Sequence, residues 1–427
     1  MRSDLAEKIR SHLWIGPLAG LVLALGAGLA SLYLDRTYRF DWLATLITGD
    51  ADSARSVLTA IASAMIALTV FTFSITMVVI QLASMQYSPR VLRSILRDRP
   101  TKVALALFLA TFVFAIIALR GVDTGADQAV PTLSLALTYL LSWATLLGFV
   151  MYIDHVAHTV RVGWLIGRLG RDGASLIAEM ERDSARLRRC PRPRLPPHDR
   201  GEVVLCCGDR GGAVSHIEQE ALVRDAARAD VLVEVLPRVG DFVPRLSPVM
   251  RVYGGELDEA TSRRLVATLG FAPERTLQQD IAYALRQLCD IGCRALSPSI
   301  NDPTTAVQVI DQLHELLRML APLPDPPEAL ADDDGVPRVI IPRIGWGDLI
   351  SLAVTEIRIF GARSPQIPRR LRAMLLDLRE VAPAERQPAL ATQLEILDAT
   401  IERVDELEVD RRFSARSDDQ GIGAGAH

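Results

Sequence analysis

From Ser56 to Pro89 the chain carries no aspartate, glutamate, lysine or arginine, and Arg55 and Arg90 bracket the run. As a helix it would rise about 50 Å, against about 30 Å of bilayer hydrocarbon. Such a helix crosses a membrane and still projects beyond it. It leads into a dense basic run: Arg90, Arg93, Arg97, Arg99 and Lys102. Its polar residues are not scattered. At about 100° per residue, Ser56, Thr59, Ser63, Ser74, Gln81, Ser84 and Ser88 fall in one narrow sector. A polar stripe inside a membrane helix faces protein or water, not lipid.

The apolar fraction of 49% averages an apolar first third of the 427 residues with a charged remainder. A net charge of −4 gives no case for nucleic-acid binding. Only Lys8 and Lys102 occur among 47 basic residues. A Schiff-base lysine, a Walker lysine and a lipoyl or biotinyl attachment lysine are thereby removed from the polar part. Cys190, Cys206, Cys207, Cys289 and Cys293 are too few and too irregular for a disulfide framework, which suits reduced thiols in the cytosol. The first apolar stretch is too long for a signal-peptide core.

Four uncharged apolar stretches predict membrane helices over 13–34, 56–88, 103–119 and 128–153. Basic residues precede the first, join the second to the third, and follow the fourth (Arg161, Arg168, Arg171), while the alternate loops collect aspartates. The positive-inside rule then places both termini in the cytoplasm, with a multi-pass domain over 1–165. Gly16, Gly20, Ala24 and Gly28 form a small-residue ridge suited to close backbone approach. Phe40, Trp42, Leu43 and Leu46 suit a short interfacial helix.

Residues 166–201 read as a charged helix and a proline-rich linker, and 202–255 as a small β-rich part with strands at Val231–Val235 and Val249–Tyr253. Residues 256–412 read as helical and 413–427 as a disordered tail. Thr276 and Gln279 suit a capping box for a helix over Thr276–Leu296, and Asp302 with Pro303 suits the start of the next. The fold class expected is a four-helix membrane domain plus a cytosolic α+β domain, mostly helical with a barrel-sandwich-like part. The last element rests on Val239–Val243 followed by Pro248–Val249, with Leu246 where such turns favour glycine.

The stripe through Ser63, Ser74, Gln81 and Ser84 admits two readings. Small polar residues pack helices together, or they line a water-filled path with Ala67, Val70 and Met77 as apolar constrictions. Arg90, Arg93 and Arg97 suit anionic lipid head groups or anions at the inner edge, and equally serve as the topology signal. Asp154, His155 and His158 have loose metal-ligand spacing at an interface. Arg275, Asp280, Asn301 and Asp302 mark either a rigid corner around Leu296–Pro303 or a contact for a small ligand or subunit. No catalytic constellation, cofactor or metal motif emerges.

Phe73–Asp98 (FSITMVVIQLASMQYSPRVLRSILRD), Val239–Val243 (VGDFV), Glu274–Asp280 (ERTLQQD) and Arg294–Ala306 (RALSPSINDPTTA) together resemble the bacterial membrane proteins grouped as domain of unknown function 2254. Leu246 and Ser299 depart from glycines expected in that family. The resemblance implies an inner-membrane protein and supplies no activity. The functional expectation is an oligomeric ion channel or permeation module gated by its cytosolic domain. The alternative is a non-conducting sensor or scaffold. The partners expected are the lipid bilayer, further copies of the chain, and ions or a small ligand.

Overall fold

The computed structural model describes residues 15–38, 50–86, 99–122, 130–159, 162–186, 188–195, 202–255, 257–325 and 328–422. The chain divides into two units, Met1–Trp164 and Leu165–His427.

The N-terminal unit contains α1 (Ile15–Thr37), α2 (Ala51–Gln86), α3 (Arg99–Leu119) and α4 (Thr132–Thr159). Each holds a stretch long and apolar enough to cross a membrane: Gly16–Thr37, Ala51–Gln81, Pro100–Leu119 and Thr132–Val156. The helices overrun the charge-free stretches because backbone hydrogen bonding, not charge, ends a helix. Asp50 accepts from the Ser53 backbone N–H at 3.0 Å, so α2 begins five residues before the uncharged run. The suggested interfacial helix around Trp42 lies outside the described residues.

The small-residue ridge of α1 is used. A Cβ on Gly20 would lie 2.9 Å from the Ala106 carbonyl oxygen of α3, and one on Gly28 would lie 3.2 Å from Ile117 Cβ. The absence of side chains thus sets how closely α1 approaches α3. Asp35 fastens the far end. Its carboxylate accepts from the Leu133 and Ser134 N–H groups at 2.8 and 2.9 Å and from the Ser134 hydroxyl at 2.6 Å, capping α4 from the end of α1.

The C-terminal unit follows as α5 (Val162–Arg186), β1 (Arg189–Cys190), β2 (Val203–Cys206), β3 (Gly212–Ile217), α6 (Gln219–Arg228), β4 (Leu232–Val235), β5 (Phe242–Val243) and β6 (Pro248–Tyr253). Then come α7 (Glu259–Ala267), β7 (Leu269–Ala272), α8 (Ile281–Ala295), α9 (Pro303–Leu320), β8 (Ala329–Ala331) and β9 (Pro337–Ile340). The chain continues with α10 (Trp346–Gly361), α11 (Gln366–Val381), α12 (Gln387–Val404) and α13 (Glu408–Ser414).

One sheet has the order β1-β8-β9-β4-β6-β2, with β4 and β9 parallel and the other pairs antiparallel. A second has the order β5-β3-β7. Among the described residues no closed barrel forms. The barrel-sandwich expectation fails because β5 pairs with β3 while β6, five residues on, joins the other sheet. The sheet also draws β8 from the region read as helical and β1 from the proline-rich linker, whereas β9 forms where the apolar run Val339–Ile341 suits a strand. Two- and three-residue strands carry too little alternation to be read as strands.

The helical half packs around α8. Ala284, Leu285 and Leu288 are fully buried, and α9 and α10 lie against it. Each such leucine contributes about 1.5–3 kcal/mol by leaving water. The expected capping box does not form: α8 starts at Ile281, and Asp280 caps it by accepting from Tyr283 N–H at 3.0 Å. Gln279, at φ 57°, instead holds Ile217 of β3 through both amide atoms. The Asp302 cap of α9 forms as expected, accepting from Thr305 N–H at 3.1 Å.

The tail expected to be disordered from 413 is placed as far as Ile422. Arg369, fully buried on α11, explains it. Its guanidinium stands 4.3 Å from the Phe413 ring centroid and 3.8 Å from the Asp418 carboxylate. A buried guanidinium is costly without partners, and the tail supplies two.

Candidate functional site

Helix α2 has two contrasting sides. Ala51, Ala54, Leu58, Ala62, Met65 and Thr72 recur at helical spacing, are all buried, and face α3 and α4. The polar stripe points about 130° away from that side, by the angle per residue. Ser56, Thr59, Ser63, Ser74 and Gln81 are exposed, as are Ala67, Val70 and Met77 between them. None of the other three helices covers this face. Ser74 donates its hydroxyl proton to the Val70 carbonyl at 2.9 Å, and Thr59 to the Arg55 carbonyl at 2.8 Å. Ser84 lies within α2 but its side chain is outside the described residues, as are Arg90, Arg93 and Arg97 entirely.

A second set of polar groups sits on the packed side, and sequence periodicity did not single it out. The Tyr152 hydroxyl on α4 lies 2.8 Å from Thr76 Oγ1 and donates to the Thr72 carbonyl of α2 at 3.2 Å. Thr111 on α3 and Thr145 on α4 share a buried hydroxyl–hydroxyl bond of 2.8 Å. These bonds satisfy polar atoms where lipid offers no partner. Their only sequence signal is hydroxyl groups in stretches with no other polar role.

His155 meets Trp164 edge-on, with ring centroids 6.5 Å apart, and the His158 side chain lies outside the described residues. Among the described residues no group of three or more metal-ligating side chains could hold a metal ion.

In the C-terminal unit the four sequence-predicted residues separate into two pairs. Arg275 grips Asp280 through Nε and through Nη2, the latter at 3.0 Å. Gly240, at φ 92°, lies against this ion pair, and a Cβ there would strike both side chains. The Val239–Val243 and Glu274–Asp280 motifs therefore meet. Hydrogen bonding to Asp280 raises the Arg275 pKa above its ordinary value despite burial. Asn301 and Asp302 lie beyond the other end of α8, a helix about 22 Å long. That corner is bonded internally: Asn301 N–H donates to Ser297 O at 2.9 Å and Asp302 N–H to Ala295 O at 2.8 Å. Asn301 takes φ 50°, a conformation asparagine tolerates.

Cys289 and Cys293 stand one turn apart on α8. Burial pushes the Cys289 thiol far up; burial and then the Glu356 charge push Cys293 up to about 12. Neither is a ready nucleophile. Arg286 donates to Glu356 at 2.7 Å and holds its carboxyl below the usual range. A lowered folded-state pKa stabilises the fold above the unfolded value of 4.5 and is lost as the pH falls below it. Glu356→Gln is expected to flatten the acid limb of a stability-versus-pH curve below that value, with equilibrium unfolding in urea as the measurement.

A cavity of about 370 Å³ opens beside the first turn of α6, lined by Asp183, Glu218, Gln219, Glu220, Arg224 and Gln279 among others. Nearby, Arg343 donates to Gln219 Oε1 at 3.0 Å, and burial pulls its guanidinium down to about 10.

The family described as "Predicted membrane protein (DUF2254)" matches residues 10–377. The chain belongs to this family. Uncharacterized proteins from two strains of Mycobacterium tuberculosis and one of Mycobacterium bovis are each 28% identical to it. Each alignment covers 96% of this chain and 80% of the relative. No solved structure matches. The DUF2254 match spans both units. It takes in the open face of α2, the Gly240–Arg275–Asp280 junction and the Asn301–Asp302 corner.

Proposed function

We propose that this DUF2254 protein is a permeation module. Several copies bring their α2 helices together with the polar stripes inward, in a bacterial inner membrane with both termini cytoplasmic. The stripe forms the path for ions or small hydrophilic solutes, and the C-terminal unit gates it. The observation that carries this reading is the exposure of Ser63, Ser74 and Gln81 on the side of α2 that α1, α3 and α4 leave open. A row of polar side chains against hydrocarbon is unfavourable, so a neighbouring polar surface or water is the better environment. Purified protein in liposomes is expected to pass ions, and Ser74→Leu or Gln81→Leu to reduce the flux about tenfold or more by narrowing and drying the path. No flux under any salt or ligand tried would overturn the reading.

A non-conducting sensor is the second reading. It draws support from the self-satisfied hydroxyls of Ser74 and Thr59, which need no water, and from the polar cavity beside α6. It expects cysteines placed along Ser63–Gln81 to be closed to water-soluble thiol reagents.

A further inference from the structure

We propose that the paired turns around Phe242 and Leu246 form a lipid-docking tip that seats on anionic head groups. β5 alternates: Val243 points into the core, while Phe242 on the other face is 73% exposed. Leu246, in the next turn, is 68% exposed and sits at φ 63°. A leucine in a left-handed turn, where glycine is easiest, costs backbone energy and contributes nothing to the core. The Gly208 turn is tied to the same tip, since Leu246 N–H donates to Gly208 O at 2.8 Å.

Charge and size choose the occupant. Arg238 precedes the two apolar residues and Arg245 lies between them in sequence; both arginines are exposed, and neither guanidinium has a hydrogen-bond or ion-pair partner among the described residues, while the exposed Asp241 of the same segment accepts from the Arg238 N–H. Two apolar side chains on projecting turns are far short of the roughly 800 Å² per partner of a stable protein interface. They suit insertion at the head-group level, with arginines meeting phosphate. The chain is already membrane-tethered as a member of its family, so a weak contact is enough. The inference rests on that membership and is independent of the permeation reading.

The test uses the full chain in proteoliposomes, with Cys190→Ser and Cys293→Ser and a nitroxide on Cys206. That exposed residue pairs with Pro248 across β2 and β6, next to the tip. Collisions with a water-soluble nickel chelate are expected to fall in phosphatidylglycerol-containing vesicles relative to pure phosphatidylcholine. Arg238→Gln with Arg245→Gln is expected to lower the docked-to-free ratio about 30-fold, from two basic contacts. Phe242→Ala and Leu246→Gly should also release the tip while leaving the melting temperature unchanged or raised. Equal collision rates in the two lipids would overturn the proposal. So would spin–spin broadening between copies that survives loss of both arginines, which would assign the surface to a second copy of the chain.

Discussion

Replacing Asp280 by alanine is expected to cost the C-terminal unit about 2–4 kcal/mol. About 1 kcal/mol is the lost N-cap of α8, where the carboxylate accepts from Tyr283 N–H. About 1–3 kcal/mol is the broken charge-assisted bonding to Arg275. The side chain is nearly inaccessible, so water cannot take over either role. Asp280→Asn keeps an acceptor for the cap and should recover roughly the first 1 kcal/mol. Urea unfolding of the full-length protein in detergent, followed by a probe in the C-terminal unit, reads both values. If Asp280 served chiefly as a ligand contact, the alanine variant would unfold as the parent does. That outcome would remove the structural account of the junction beneath Gly240.

Gly20→Val is the second large effect. The new Cβ would stand 2.9 Å from the Ala106 carbonyl oxygen, which belongs to the backbone of α3 and cannot rotate away. Forcing α1 and α3 apart is expected to cost about 1–3 kcal/mol, as overpacking does in other tight interfaces. Loss of thermal stability in detergent, followed by the environment of a label on α1, measures it. Gly26 is the control: nothing lies within 4 Å of a Cβ placed there, so Gly26→Val should leave the melting unchanged. Equal losses at both positions would indicate that glycine serves α1 through backbone freedom rather than close approach.

Much of the N-terminal unit was legible in the chain. Four apolar stretches became four helices, and the ridge of Gly20 and Gly28 faces a partner helix. A membrane helix declares itself because its solvent demands apolar residues at nearly every position. The helix ends were less legible: Asp50 extends α2 by a hydrogen bond that a hydropathy pattern does not record. The candidate site was half legible. Periodicity placed Ser63, Ser74 and Gln81 on one sector of α2. Whether α1, α3 or α4 would cover that sector depended on which helix packs where.

The C-terminal unit hid more. The capping box at Thr276 and Gln279 was locally sound, yet Gln279 bonds to Ile217, sixty-two residues away, and Asp280 takes the cap. The barrel-sandwich pattern failed because β5 and β6 chose different sheets, a decision made by β3 and β4 rather than by the turn between them. Disorder was expected of the tail as a chain terminus, but the buried guanidinium of Arg369 holds Phe413 and Asp418.

The sequence by itself determined that this protein has four apolar helices, the second over-long, with its polar residues on a single sector and a basic run after it. Those properties belong to the residues and their order, through hydropathy and the angle of a helical turn. Only the tertiary structure decided that the sector is left open. It also decided that Gly240 rests on the Arg275–Asp280 pair, and that Phe242 and Leu246 are left exposed. These are relations between side chains distant in the chain, and no local propensity encodes which distant partner a side chain meets.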